Sequence, residues 1–107
     1  MTGEPPGAEA TFDAVANALL GETDVEEGTG FGTNPGLRTG GKIFAMLVGG
    51  ELVIKLPADH CSELVAAGAG RPFEVGRRRM REWVCIAEAG QAQWLHLARE
   101  ARSYVQR

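Results

Sequence analysis

Two glycines, Gly49 and Gly50, separate the apolar run of residues 43–48 from a second run over residues 51–56. A two-residue glycine loop between such runs is a strong short-range signal for a β-hairpin. It also sets the register: Val48 opposite Glu51, Leu47 opposite Leu52, Ala45 opposite Ile54 and Ile43 opposite Leu56. Directly opposed residues share a face of the sheet. One face therefore gathers Ile43, Ala45, Leu47, Leu52, Ile54 and Leu56, all aliphatic, and is expected to meet the core. The other carries Lys42, Phe44, Met46, Val48, Glu51, Val53 and Lys55. Its apolar members need cover, expected from a helix of this chain or from a second subunit.

A second turn lies just upstream, at Thr39-Gly40-Gly41. A two-residue Gly-Gly loop would set Arg38 beside Ile43 on the core face, which is costly for a charge. A three-residue loop pairs Leu37 with Ile43 instead, and is the expected form. The same residues spell most of a phosphate-binding loop, Gly36-x-x-x-x-Gly41-Lys42. A true one leads from a strand into a helix, and a hydroxyl after the lysine holds magnesium. Here Ile43 follows and the next residues read as a strand, so a glycine hairpin is expected in its place. Gly28-Thr29-Gly30-Phe31-Gly32 lacks dinucleotide-binding spacing and reads as glycine punctuation or a bulge.

Elsewhere the period is helical. Phe12, Val15, Ala16, Leu19 and Leu20 form one apolar stripe, with Thr11 as its N-cap and Gly21 as its stop. Cys61, Leu64 and Val65 form a short stripe closed by Gly68, and Trp94, Leu97, Ala98, Ala101 and Val105 a longer one. Residues 24–31 read as an exposed, irregular strand, and residues 81–87 as a strand after a basic loop. The expected fold class is α+β: two layers, an antiparallel sheet in α-β-β-β-α-β-α order, with helices mainly on one face. A further short strand is expected near Phe73. Residues 1–9 read as a flexible tail, and residues 10–107 as a single domain.

Charge is uneven along the chain. The first 30 residues hold seven carboxylates and no Lys or Arg, while the remainder holds eleven basic residues against seven acidic ones, for a net charge of −3. Such asymmetry suits a charged partner or self-complementary assembly, or acids that simply solvate the first helix and strand. No apolar run reaches the ~20 residues of a membrane helix, and the acidic start has no signal-peptide core. No membrane partner is expected, and the cytoplasm is the expected location. Cys61 and Cys85 are then expected as reduced thiols in the core.

Chemistry-bearing residues are sparse. His60, Cys61, Cys85 and His96 show no paired metal-ligand spacing. Ser62 and Ser103, the two serines, each fall on an expected helix, and no nucleophile elbow surrounds either. Glu51, Glu74 and Glu82 carry nothing that marks an acid/base pair. The chain is expected to be non-enzymatic and to need no cofactor or metal. Its most unusual feature is Arg77-Arg78-Arg79-Met80-Arg81, four guanidiniums in five positions. Such a run reads either as a phosphate-binding site or as a solvated loop entering an edge strand. Arg38, Lys42 and Lys55, with Phe44, form a second candidate anion or nucleic-acid site; the competing reading has lysine stems covering Phe44.

Several fragments then occur in a familiar order. They are residues 41–47 (GKIFAML), 53–57 (VIKLP), 64–68 (LVAAG), Pro72-Phe73, 80–84 (MREWV), and Trp94 followed by 97–101 (LAREA). Together, over roughly residues 12–105, they resemble the small bacterial TfoX N-terminal-domain-like proteins (TfoX/Sxy), close to the MmcQ/YjbR-like group. The resemblance implies a compact α+β domain with an antiparallel sheet and flanking helices. TfoX/Sxy proteins are competence regulators that usually carry a second domain, and the YjbR side is likened to DNA-binding folds, an analogy of fold. No catalytic residue is implied. Residues 77–79 are arginines where the resemblance implies a glycine-rich turn. The expected function is a macromolecule-binding or regulatory module, with nucleic acid as the first partner. The alternative is a protein-interaction or homodimerisation module that binds no nucleic acid.

Overall fold

The structure, a computed structural model, describes residues 7–29, 34–87 and 90–106. The elements are α1 (Gly7–Leu20), β1 (Val25–Thr29), β2 (Pro35–Thr39), β3 (Lys42–Val48), β4 (Glu51–Lys55), α2 (Ala58–Ala66), β5 (Arg71–Val75), β6 (Arg78–Ile86) and α3 (Gln91–Gln106). All strands join one antiparallel sheet in the order β1-β2-β3-β4-β6-β5. The fold is α+β, as expected. The two weakly marked strands, within residues 24–31 and near Phe73, are β1 and β5. Helix α1 begins at Gly7, inside the expected tail, and residues 1–6 lie outside the described residues. Thr11 is therefore not an N-cap; its hydroxyl donates to the Gly7 carbonyl at 3.0 Å, one turn back. The glycine feature at Gly30 and Gly32 also lies outside the described residues.

The β3–β4 hairpin has the expected register, with Ala45 opposite Ile54, Leu47 opposite Leu52 and Val48 opposite Glu51. Gly49 and Gly50 both take positive φ, 58° and 82°, the type I′ geometry that matches strand twist. Gly40 and Gly41 do the same, at 58° and 81°, so the upstream turn is a two-residue loop and not the expected three-residue one. It closes a hairpin and leads into β3, so this is no phosphate-binding loop.

The charge problem that argued against that loop is solved by a bulge. Arg38 does pair with Ile43, but the ladder shifts between Leu37 and Arg38, so that Leu37 pairs with Ala45. Phe44 is the extra residue. The shift turns Ile43 away from the helices and Phe44 towards them. Phe44 is fully buried in the helix-side cluster, with Ala45, Leu47, Leu52, Ile54 and Leu56. Ile43, expected there, packs on the opposite face with Met46 and Val53.

All three helices bury their stripes on one face of the sheet. Phe12, Val15 and Leu19 of α1, Cys61 of α2, and Trp94, Leu97, Ala98 and Ala101 of α3 share one cluster with the aliphatic strand residues. Helix α2 ends as read from the sequence: Gly68 at φ 77° follows the Ala67 cap, and the Ala69 amide returns to the Leu64 carbonyl at 2.9 Å. Glu22, just past α1, accepts from Arg99 at 2.9 Å and Arg102 at 2.5 Å on α3. Part of the charge asymmetry is thus neutralised within the chain.

The second face is covered by the chain itself. Its cluster joins Met46 and Val53 of the central strands to Phe73 of β5 and to Trp83 and Cys85 of β6, with Met80 packed alongside. Met46 and Val53 have no exposed surface. The cover of Met46 and Val53 comes from the β5–β6 hairpin and not from a helix, while Ile43 and Val48 stay partly exposed.

Both cysteines are free and buried. Burial raises the Cys61 thiol pKa, and raises that of Cys85 from its ordinary value near 9 to about 11, with the Glu51 carboxylate adding to the rise. The folded state then holds the Cys85 proton more firmly than the unfolded chain does. The stability linked to this group is full below pH 9 and falls as pH rises through 11. Urea midpoints should fall between about pH 8 and pH 11, and Cys85→Val, similar in size but without the titrating proton, should flatten that fall. An equal fall in the variant would assign the loss to other groups.

Candidate nucleic-acid interface

The arginine run is built into a hairpin and is not a loop. Val75 pairs with Arg78, Glu74 with Arg79 and Phe73 with Met80, leaving Gly76 and Arg77 as the turn. Gly76 has φ 63° and Arg77 does not share the positive φ, which fits a type II′ turn. The ladder then breaks: Pro72 pairs with Val84, so Arg81, Glu82 and Trp83 have no partners on β5. Below this break the two strands belong to the sheet. Above it they form a short arm whose Phe73 and Met80 pack on Met46 and Val53. Strand β6 is interior only where residues 83–86 pair with β4. Over Arg78–Arg81 it is flanked by β5 on one side and has no ladder partner on the β4 side, so the arginines do border an open strand edge.

Side-chain alternation distributes the charges around the arm. Arg78 shares a side with Val75, and Arg79 shares the opposite side with Glu74. Arg77 occupies the tip. Arg77, Arg78, Arg79 and Arg81 are all exposed, and among the described residues none forms an ion pair or a side-chain hydrogen bond. The other described Lys and Arg residues, Lys42 apart, differ. Arg71 pairs with Glu51 through two nitrogens, and Arg99 and Arg102 hold Glu22. Lys55 lies over the Trp83 ring at 5.9 Å, with Glu82 at 4.0 Å.

The second candidate site does not assemble. Arg38 is spent inside the sheet, donating to the Gly41 and Thr29 carbonyls at 3.1 Å each. Its side chain lies so close over Gly28 that a Cβ there would sit 2.3 Å from the guanidinium Nε. Lys42 borders a cleft at the other side of the sheet, with Asp24, Val105 and Gln106. Phe44 is in the core, so no lysine stem covers it. Of this set only Lys55 joins the arm.

Two clefts flank the arm. One, of about 610 Å³, lies between α2 and the arm; α2 contributes Asp59, Ser62 and Val65, and the arm Arg79 and Arg81. The other, of about 560 Å³, is bordered by Lys55, Arg78 and Glu82. Arg79, Met80, Arg81 and Trp83 line both, so this segment is a ridge between two hollows. Nothing in the sequence joins Asp59 and Ser62 to the arginines they face across this cleft. Their only sequence signal is that they lie on the polar side of the α2 stripe.

The histidines stand apart from the arm, bordering a smaller hollow between α2 and α3 with Ser103 and Tyr104. Among the described residues no cluster of three or more His, Cys, Asp or Glu is placed to hold a metal, and no helix is long and apolar enough to cross a membrane. Such an arrangement can do one thing well: offer unpaired, planar, permanently charged donors to an anion that reaches across the arm. No family model, curated protein or solved structure matches the chain, so this geometry is the ground on which function is argued.

Proposed function

We propose that the chain is a nucleic-acid-binding module without catalytic chemistry of its own, and that the β5–β6 arm is its binding element. One observation carries the reading: four guanidiniums on a single hairpin keep their full donor capacity, while most of the chain's other described cations are spent on internal partners. Guanidinium forks match phosphate oxygens in pairs. A net charge of −3 argues against diffuse binding over the whole surface, so contact is confined to the arm. The likeness to TfoX N-terminal-domain-like proteins, which rests on the ordered sequence fragments, is proposed beside it.

The test is fluorescence anisotropy on labelled oligonucleotides across a salt series. The wild type is compared with a variant carrying Arg77→Ala, Arg78→Ala, Arg79→Ala and Arg81→Ala. The wild type should bind, and the variant's salt slope should drop by about three or four phosphate contacts, each worth roughly 0.7–0.9 in the logarithmic slope. No binding by either protein at low salt would overturn the proposal. A dimer detected then by sedimentation would favour the second reading, a homodimerisation or protein-interaction module.

A further inference from the structure

We infer that the arm's ligand is single-stranded, and that one nucleotide seats in the cleft between α2 and the arm with its base towards α2. This rests on the nucleic-acid reading above and names the form of nucleic acid and its orientation.

The arginines do not crown a smooth convex surface. Arg79 and Arg81 border both hollows, and the larger, about 610 Å³, falls in the size range of small-ligand sites. A duplex keeps its bases stacked inside and can fill such a hollow only by flipping one out, which costs unstacking energy. A single strand offers its bases freely and is recognised by combining backbone charge with apolar or aromatic surface.

The cleft has two unlike ends. Arg79 and Arg81 supply positive charge on the arm side, and Asp59 a carboxylate on the α2 side. A phosphate is drawn to the first and repelled by the second. Val65 and Met80, half-buried, and the small exposed edge of Trp83 also line the cleft and give apolar surface against which a base can lie. The base edge then meets Asp59 and the Ser62 hydroxyl. An ionised carboxylate only accepts hydrogen bonds. It therefore favours a base with an exocyclic amine, such as cytosine or adenine, over thymine or uracil, whose one N–H donor is flanked by two carbonyl oxygens that repel the carboxylate, as carboxylates favour the cytosine amine. The next phosphate along the strand reaches the second hollow, where Lys55 borders the same ridge.

Ser62 is exposed, and among the described residues it makes no side-chain hydrogen bond, so Ser62→Trp plugs the cleft while leaving the arm intact. Anisotropy titrations would use labelled hexamers of dC, dA and dT and a duplex with the same number of phosphates, with thermal melts checking the fold. The wild type should bind dC and dA hexamers more tightly than dT or duplex. Ser62→Trp should weaken the dC hexamer about tenfold with its salt slope unchanged, a loss within the range that one base–aromatic contact contributes. Asp59→Asn should reduce the preference for dC over dT. If the wild type binds and the arginine variant does not, but Ser62→Trp binds dC like the wild type, the cleft inference fails and the arm reading stands. Tighter binding of duplex than of any hexamer overturns the inference in the same way. No binding of any oligonucleotide by the wild type overturns both.

Discussion

Trp94→Ala is expected to lower the unfolding free energy by about 3–5 kcal/mol, the range for truncating a large buried aromatic. Among the described residues Trp94 is the largest fully buried side chain, with no exposed surface. It sits in the first turn of α3 and shares its cluster with β3 and β4 residues, so its indole fastens the helix to the middle of the sheet. The ring nitrogen also donates to the Ala87 carbonyl at 3.0 Å, tying the end of β6 to the start of α3. Removing the ring leaves a cavity between two rigid layers that close only in part. Domains of this size are stable by about 5–15 kcal/mol, so the variant should be near the edge of folding. Urea denaturation followed by circular dichroism measures the loss. A loss below about 1 kcal/mol would mean that α3 does not depend on this anchor.

The other large effect concerns the opposite face. Phe73→Ala should cost about 3 kcal/mol, at the lower end for an aromatic because the arm lies at an edge and can relax. Its second consequence is more telling. Phe73 covers Met46 and Val53, which have no exposed surface of their own. Without it the arm loses its main apolar anchor, leaving Met80 and the edge of Trp83. The uncovered patch should bind a hydrophobic dye and promote self-association, and amides at Arg78 and Met80 should exchange faster. Unchanged exchange in the arm would show that the turn and ladder hold the hairpin without Phe73.

Local chemistry makes much of this fold legible in the sequence. The Gly49-Gly50 loop gave the β3–β4 register because turn and pattern agree there, and the helical stripes of α1 and α3 declared their buried sides. At Gly40-Gly41 the loop is shorter than the sequence pattern implies, for a physical reason. A pattern of period two assumes an unbroken ladder, and the bulge at Phe44 breaks it. Arg38 was correctly barred from the core, but by the bulge and not by the turn. The arm was hidden for a different reason. That Phe73 and Met80 would cover Met46 and Val53 depends on contacts across some thirty residues of sequence, which no local period records. The arginine run stood out at once, since charge density is visible in a string of letters. Its neighbours across the cleft, Asp59 and Ser62, did not, because only the fold brings α2 beside β6.

The position of α3 has a consequence for how the chain is made. Strands β1 to β4 form a meander of neighbours and can zip up from their own turns as they are synthesised. The helix-side cluster cannot. It needs Trp94, Leu97, Ala98 and Ala101, which belong to the last described element. Until residues 91–106 emerge, Phe44, Leu52 and Ile54 face water or whatever shields them. Until α3 has been made, the segment before it is therefore an open sheet with half a lid, the kind of intermediate that chaperones exist to hold.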